Sequence, residues 1–153
     1  MRVSAKADYA VRAAIELAAN GDEDHPLKGE AVGEAQAIPL PFLQNILAQL
    51  RHAGIVHSRR GAEGGHWLTR PADDITVAEV IRAVDGPLAS VRGESAEDLA
   101  YTGAAEPLQR VWLALRANVR EVLESVTIAD LVERDLPQPV LRLAEHPDVR
   151  GAR

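Results

Sequence analysis

Residues 38–71, IPLPFLQNILAQLRHAGIVHSRRGAEGGHWLTRP, decide how the rest of the chain is read. Pro39 and Pro41 frame a helix start, where a missing N–H costs little. Leu43, Ile46, Leu47 and Leu50 then fall at i, i+3, i+4 and i+7 and form one apolar helix face. Gly54, following Ala53, suits a left-handed cap. Ile55-Val56-His57-Ser58 has the β-branched start of a short strand. Arg59 to Gly65 is a basic, glycine-rich turn, His66-Trp67-Leu68-Thr69 returns as a second strand, and Pro71 stops it.

The outward face of that helix follows from a turn of about 100° per residue. With the leucines inward, Pro41, Asn45, Ala48 and His52 point out, flanked by Gln44 and Gln49. Asn and Gln pair bidentately with adenine, and small apolar groups meet thymine methyls. Gln44, Asn45 and Ala48 are therefore candidate base readers, with Pro41 beside them. The bland alternative is that the two amides only solvate a surface helix. Arg51, Arg59 and Arg60 are candidate phosphate or groove contacts, and Gly64 and Gly65 would let the turn's backbone approach closely. A helix followed by a basic two-stranded ribbon is a DNA-reading arrangement, not a catalytic one.

Composition sets the outer bounds. The chain has 153 residues, 46 % hydrophobic and 26 % charged, which is ordinary for a globular protein. Only 3 % is aromatic, so the core must be aliphatic and alanine-rich, which favours helices. No apolar run is long enough to span a membrane, and the first residues lack a signal-peptide pattern, so a cytoplasmic protein is expected. The net charge of −6 argues weakly against nucleic acid, but its distribution matters more. Residues 51–70 hold four arginines and one glutamate, whereas residues 71–153 hold nine arginines against fifteen carboxylates. The basic patch coincides with the helix end and ribbon. With no cysteine, the chain can form neither disulfides nor thiolate-held metal clusters.

In chain order, Ser4 is a candidate cap for a first helix to about Ala19, with Ala7, Ala10, Val11, Ala14, Ile15 and Ala18 inward. Arg2 and Lys6 near its start are either solvated charges or phosphate contacts. Leu27 to Ala35 reads as a short helix, apolar at Leu27, Ala31, Val32 and Ala35 and weakened by Gly29 and Gly33, which can also permit close packing. The spacing of this helix, a turn at Gln36 to Ile38 and the next helix is that of a helix-turn-helix. Thr76 caps a helix with Val77, Val80, Ile81 and Val84 inward, ended by Asp85-Gly86-Pro87. Residues 88–107 show no period. Leu108 to Ser125 is the longest helical pattern. Its stripe of Leu108, Val111, Trp112, Leu115, Val119, Val122, Leu123 and Val126 is too long for a small domain to cover, so pairing with a second copy is expected, with intramolecular packing as the alternative. Thr127 caps a short piece to Val132, and the prolines beyond Arg134 suggest an unpacked tail.

The chain resembles the Rrf-two family of bacterial winged helix-turn-helix regulators, of the IscR and NsrR type, over about Met1 to Leu131. Five pieces in order carry the resemblance: M-R-V-S-x-K-x-x-Y-A-V-R-A from Met1, I-P-x-x-F-L-x-x-I-L-x-x-L-R-x-A-G-I-V from Ile38, R-G-x-x-G-G-x-x-L-x-R-P from Arg60, I-T-V-A-E-V-I-R-A-V-D-G from Ile75, and T-I-A-D-L from Thr127. It implies a homodimer, joined by the long helix, on a pseudo-palindromic operator. Many relatives hold an iron–sulphur cluster on three cysteines in the loop before that helix; here the loop has none, making this a cysteine-free member. Asp8, where some relatives supply a non-cysteine ligand, reads as an ordinary first-turn carboxylate. His66 replaces an aromatic common in the family's wing.

No other chemistry competes. The five histidines never fall at i, i+4 with an acid, no serine has a nucleophile-elbow context, and the Gly61–Gly65 turn lacks the Lys-Ser/Thr of a phosphate cradle. Trp67, Tyr101 and Trp112 are candidates for an effector pocket. The expectation is a mainly α fold with a two-stranded β wing: a winged helix-turn-helix over 1–86, a loop over 87–107, a dimerisation helix over 108–133 and a flexible tail over 134–153. Its partners would be double-stranded DNA, a second copy and an unknown small-molecule or protein effector. No metal, cofactor, membrane contact or enzymatic activity is expected. The alternative is a protein-interaction module on the same fold, modulating an enzyme or another regulator.

Overall fold

The computed structural model describes residues 2–149. Its elements are α1 (Ala5–Asn20), α2 (Gly29–Gln36), α3 (Leu40–His52), β1 (Val56–Arg59), β2 (Gly65–Leu68), α4 (Val77–Asp85), α5 (Leu108–Ser125), α6 (Ile128–Glu133) and α7 (Gln138–Ala144), with three short 3-10 turns. The mainly helical chain with one two-stranded ribbon is the expected winged helix-turn-helix.

Two faces make the core. Leu43, Ile46, Leu47 and Leu50 of α3 are all buried, as their spacing requires. Against them lies α1, whose inward face is Ala7, Ala10, Ala13, Ala14 and Leu17. Alanines let neighbouring backbones approach closely, so α1 can touch α2, α3, α4, α6 and β2 at once. Val11, Ile15 and Ala18, read as inward, are only partly buried, because Ala13 and Leu17 take the centre. Ser4 caps α1 by accepting from the Ala7 N–H at 2.9 Å. Thr76 and Thr127 cap α4 and α6 in the same way, the latter in a reciprocal capping box with Asp130.

In α2 the inward face differs from the expected one. Ala31 and Ala35 are exposed, while Gly29, Val32 and Gly33 are buried. The glycines themselves face the core: a Cβ on Gly33 would stand 3.1 Å from the Ile38 carbonyl oxygen. The turn to α3 places Ala37 in the left-handed region at φ 51°, a conformation that costs a non-glycine residue roughly 1–2 kcal/mol.

The ribbon pairs β1 and β2 antiparallel, Val56 opposite Leu68 and Arg59 opposite Gly65. The turn before α2 adds a one-residue bridge to this ribbon. Leu27 exchanges both backbone hydrogen bonds with His66, at 2.9 and 2.8 Å. Gly65 makes this possible, for a Cβ there would lie 2.8 Å from the Leu27 backbone, and its φ is +155°. Gly64 is buried under the Arg59 carbonyl, with no room for a Cβ. Gly64 and Gly65 thus have a packing role in holding the wing.

The C-terminal third departs from expectation in three places. The segment 108–133, expected to act as one dimerisation unit, is two helices: α5 ends at Ser125, as the periodicity and the Thr127 cap required, and the chain turns there because Thr127 bridges to Thr76 and the Val126 carbonyl accepts from Val77 N–H at 2.9 Å. Val126 is 6 % exposed and belongs to the core rather than to the α5 stripe. Helix α6 packs on α1, so residues 126–133 join the N-terminal unit. The expected tail is packed only in its first part: Pro137 and Pro139 start α7 and Leu136 and Val140 pack against the core, whereas residues 142–149 are exposed. Residues 150–153 of that expected tail lie outside the described residues.

The wing glycines generate a test. Gly61, at φ +98° with open space around it, should lose about 1–2 kcal/mol of stability as Gly61→Ala, the cost of the left-handed backbone alone. Gly64→Ala must displace backbone and should cost roughly 3 kcal/mol or more. Urea unfolding of the two variants side by side measures the difference.

Candidate nucleic-acid interface

The site is built from α3, the wing and the edge of α2. Pro41, Gln44, Asn45, Ala48 and His52 are exposed on α3, as the helical spacing demanded, and Gln49 is half-buried. Gln44, Ala48 and Arg51 line a cleft of about 250 Å³ shared with Ser58 and His66 of the wing and with Glu30 of α2. The helix face and the wing are therefore one continuous surface. Arg51 reaches the Ser58 hydroxyl at 3.4 Å, joining the end of α3 to β1.

The two wing arginines differ. Arg59 ends β1, and its guanidinium lies 5.6 Å from the Trp67 ring centre while donating to the carbonyls of Glu23 at 3.3 Å and Glu63 at 3.4 Å. It clasps the wing to the α1–α2 turn. Arg60 is exposed, and among the described residues no hydrogen bond or ion pair within the chain engages it. Lys6 is drawn to Asp85 at 3.8 Å, and the Ser4 hydroxyl donates to the same carboxylate, tying the start of α1 to the end of α4. Arg2 lines a groove beside α5. The structure thus exposes Pro41, Gln44, Asn45, Ala48 and Arg51 on α3, joins Gln44, Ala48 and Arg51 to the base of the wing whose turn carries Arg60, and places Arg2 and Lys6 elsewhere, beside α5 and α4. Two features of this surface escaped the sequence reading: the Leu27 bridge that braces the wing, and Phe42, 63 % exposed on the first turn of α3. A helical wheel would have flagged Phe42, which stands about 100° away from Leu43.

His66 sits where Leu27, the start of α2 and Arg51 converge. Burial first, and then the Arg51 charge, push its pKa below the ordinary 6.5, with Glu30 pulling the other way. Among the described residues its Nδ1 is buried without a hydrogen-bond partner. His66 thus stands, half-buried, where the family resemblance implies an aromatic, lining the cleft between α3 and the wing.

Helix α5 has no fully buried residue. Leu108, Trp112, Leu115, Val119, Val122 and Leu123 are half-buried and Val111 is 55 % exposed. Val119, Val122 and Leu123 border a largely apolar groove of about 700 Å³ that also takes in Val3, Ile81 and Leu88. Glu124 holds α5 to α4, its carboxyl kept below the usual range first by Arg82 and then by Arg120. The Trp112 indole donates to the Tyr101 hydroxyl at 3.1 Å, whereas Trp67 lies on the wing, so the three aromatics do not form one pocket.

Comparison with known proteins gives a consistent picture. The family model described as "Rrf2: Iron-dependent Transcriptional regulator" matches residues 3–134. A helix-turn-helix-type transcriptional regulator of Mycobacterium tuberculosis is 48 % identical over 145 residues, 95 % of this chain and 89 % of that protein. The regulator CymR of Bacillus subtilis is 36 % identical over 132 residues, 86 % of this chain and 89 % of CymR. The structure of the B. subtilis CymR, called the global cysteine regulator, superposes with a TM-score of 0.73 at 31 % identity, covering 88 % of this chain and 98 % of that one. The IscR of T. potens gives 0.68 at 31 % identity, covering 100 % and 93 %.

The donor set does not fit the iron that the family description names. The chain has no thiolate to offer. Among the described residues no three His, Asp or Glu side chains converge as a metal site. In the 87–107 loop, Arg116 of α5 occupies the obvious carboxylate, pairing with Glu97 at 2.8 Å and donating to Ser95 Oγ at 2.7 Å. Gln109 donates to the carbonyls of Ala96 and Glu97, and Leu88, Ala96 and Leu99 are buried. Asp8 is exposed and pairs with Arg12 at 3.6 Å.

The depressed His66 pKa has a measurable consequence. As pH falls through 6.5, the unfolded chain protonates this imidazole and the folded chain resists, so stability is lost between 6.5 and the lower folded pKa. Above 6.5 the group contributes nothing to the pH dependence. In urea titrations at pH 7.5 and pH 5.5, His66→Phe should lose less stability than the unsubstituted protein over that interval. Equal losses would show that His66 is as free to protonate folded as unfolded.

Proposed function

The chain belongs to the Rrf2 family of transcriptional regulators, a non-enzymatic family with a DNA-binding winged-helix fold, and from that premise we propose that it is a repressor that binds a pseudo-palindromic operator as a homodimer. The observation that carries this reading is the exposed polar face of α3, which shares a cleft with the base of a wing whose turn exposes Arg60. Gln44, Asn45 and Ala48 enter the major groove and read bases; Arg60 reaches the flanking backbone or minor groove; Arg51 contributes phosphate attraction. Arg59 acts through the wing, holding its tip in place by its contacts to Glu23 and Trp67. The regulator works without an iron–sulphur cluster, since its loop carries no thiolate and is closed by Arg116. That loop, lying against α5, is where a small-molecule or protein effector would act.

The dimer reading rests on the under-covered α5. Half-buried leucines and valines beside an apolar groove are best buried by the same helix of a second copy, a two-fold arrangement that also presents two α3 helices to a palindrome. Val119→Glu should therefore give a monomer by light scattering at micromolar concentration, with weaker operator binding. A dimer of unchanged mass would remove α5 from the interface.

Duplex titrations at several salt concentrations test the division of labour. Arg60→Ala should weaken binding to all duplexes and lower the salt slope by about one unit if it neutralises one phosphate. Asn45→Ala should cost about 1–3 kcal/mol on the operator and much less on random DNA. Absence of salt-dependent duplex binding in the unsubstituted protein would instead favour a protein-interaction module.

A further inference from the structure

Phe42 is the one phenylalanine of the chain and is 63 % exposed. It stands at the third position of α3, one residue after Pro41 and three before Asn45, so it lies on the helix's first turn and neighbours the candidate base reader Asn45 at i, i+3. The other large apolar side chains with comparable exposure, Val3, Val111, Leu143 and Val149, lie on α1's leading residues, α5 and the C-terminal segment. Leaving most of a phenyl ring in water forgoes the free energy of its burial. Nothing in the helix requires it, since α3 buries Leu43, Ile46, Leu47 and Leu50 without help.

What could cover the ring is limited by its position. The first turn of a recognition helix is the part that reaches base edges. A phenyl ring neither donates nor accepts a conventional hydrogen bond, so it is blind to the polar groups of the major groove. The groove wall carries one apolar marker, the C5-methyl group of thymine. We propose that Phe42 is a specificity-determining residue that packs on a thymine methyl in each half-site, next to the base read by Asn45. This inference rests on the reading of the chain as a sequence-specific DNA-binding protein.

The test separates the methyl from the rest of the base. A duplex selected from a random pool by the unsubstituted protein supplies the operator. Each thymine is then replaced by deoxyuridine, which removes only the methyl. Binding should weaken about fourfold per half-site at one symmetric position, the value of one buried methyl-sized group. Phe42→Ala should bind the parent duplex less tightly and be indifferent to uracil at that position. It should respond to every other replacement as the unsubstituted protein does. Phe42→Leu should retain part of the sensitivity and guards against a folding defect in the alanine variant. The inference is overturned if no uracil replacement matters, or if Phe42→Ala keeps the same sensitivity. Failure to enrich any sequence from the pool is a separate result: it overturns the reading of the chain as a sequence-specific regulator, and this inference with it.

Discussion

The contact between the alanine face of α1 and the leucine face of α3 carries the structure. Ala10, Ala13 and Ala14 have no side chain beyond Cβ, so α3 can lie close and bury four large residues along one stripe. Each such leucine or isoleucine contributes roughly 1.5–3 kcal/mol when fully buried. The same contact fixes the rotation of α3 about its axis. Once Leu43, Ile46, Leu47 and Leu50 are inward, Asn45 and Ala48 have nowhere to point but out. Core packing and the outward display of the candidate base readers are one constraint, so a rotated α3 would lose both.

The wing is held by backbone rather than by bulk. Leu27 adds an isolated bridge to His66 on β2, and Gly64 and Gly65 give up their side chains to let the segments meet. The Thr69 hydroxyl donates to the Gly54 carbonyl at 2.7 Å, closing the other end of the ribbon. Arg59 adds a side-chain clasp through Trp67 and Glu23. A ribbon fixed at its base in this way leaves only its turn, with Arg60, free to meet a partner. The basic charge of the wing therefore divides into one arginine spent on structure and one available for binding.

The C-terminal half solves a different problem. A long loop needs something to keep it against the body, and thiolates are not available here. Leu88, Ala96 and Leu99 supply buried anchors, and Arg116 and Gln109 of α5 bind the loop through Ser95, Glu97 and the carbonyl of Ala96. The ion pair is partly exposed, with Glu97 side chain 65 % accessible, so it adds little stability by itself and acts mainly by fixing geometry. Helix α5 in turn touches its own chain mainly through α4, which leaves the apolar stripe only half-covered.

Local rules were enough for the helix-turn-helix and the wing, because periodicity, caps and turn residues act over a few positions. The leucine spacing placed Gln44 and Asn45 outside, Ser4, Thr76 and Thr127 marked helix starts, and the missing cysteines excluded thiolate chemistry. Other features depended on segments distant in sequence, which no window contains. Leu27 reads as helix by composition and becomes an extended bridge residue because His66 offers it two hydrogen bonds. Val126 fits the α5 stripe by spacing and is drawn into the core because its carbonyl meets Val77. Gly29 and Gly33 read either as weak points of α2 or as sites of close packing, and only the fold, by burying them against α3 and the Ile38 carbonyl, decides for packing. Arg59 and Arg60 are adjacent and chemically identical, and only the tertiary position of Glu23 and Trp67 separates their roles. A sequence window records which groups are present; which of them are already satisfied is decided by what the fold brings alongside.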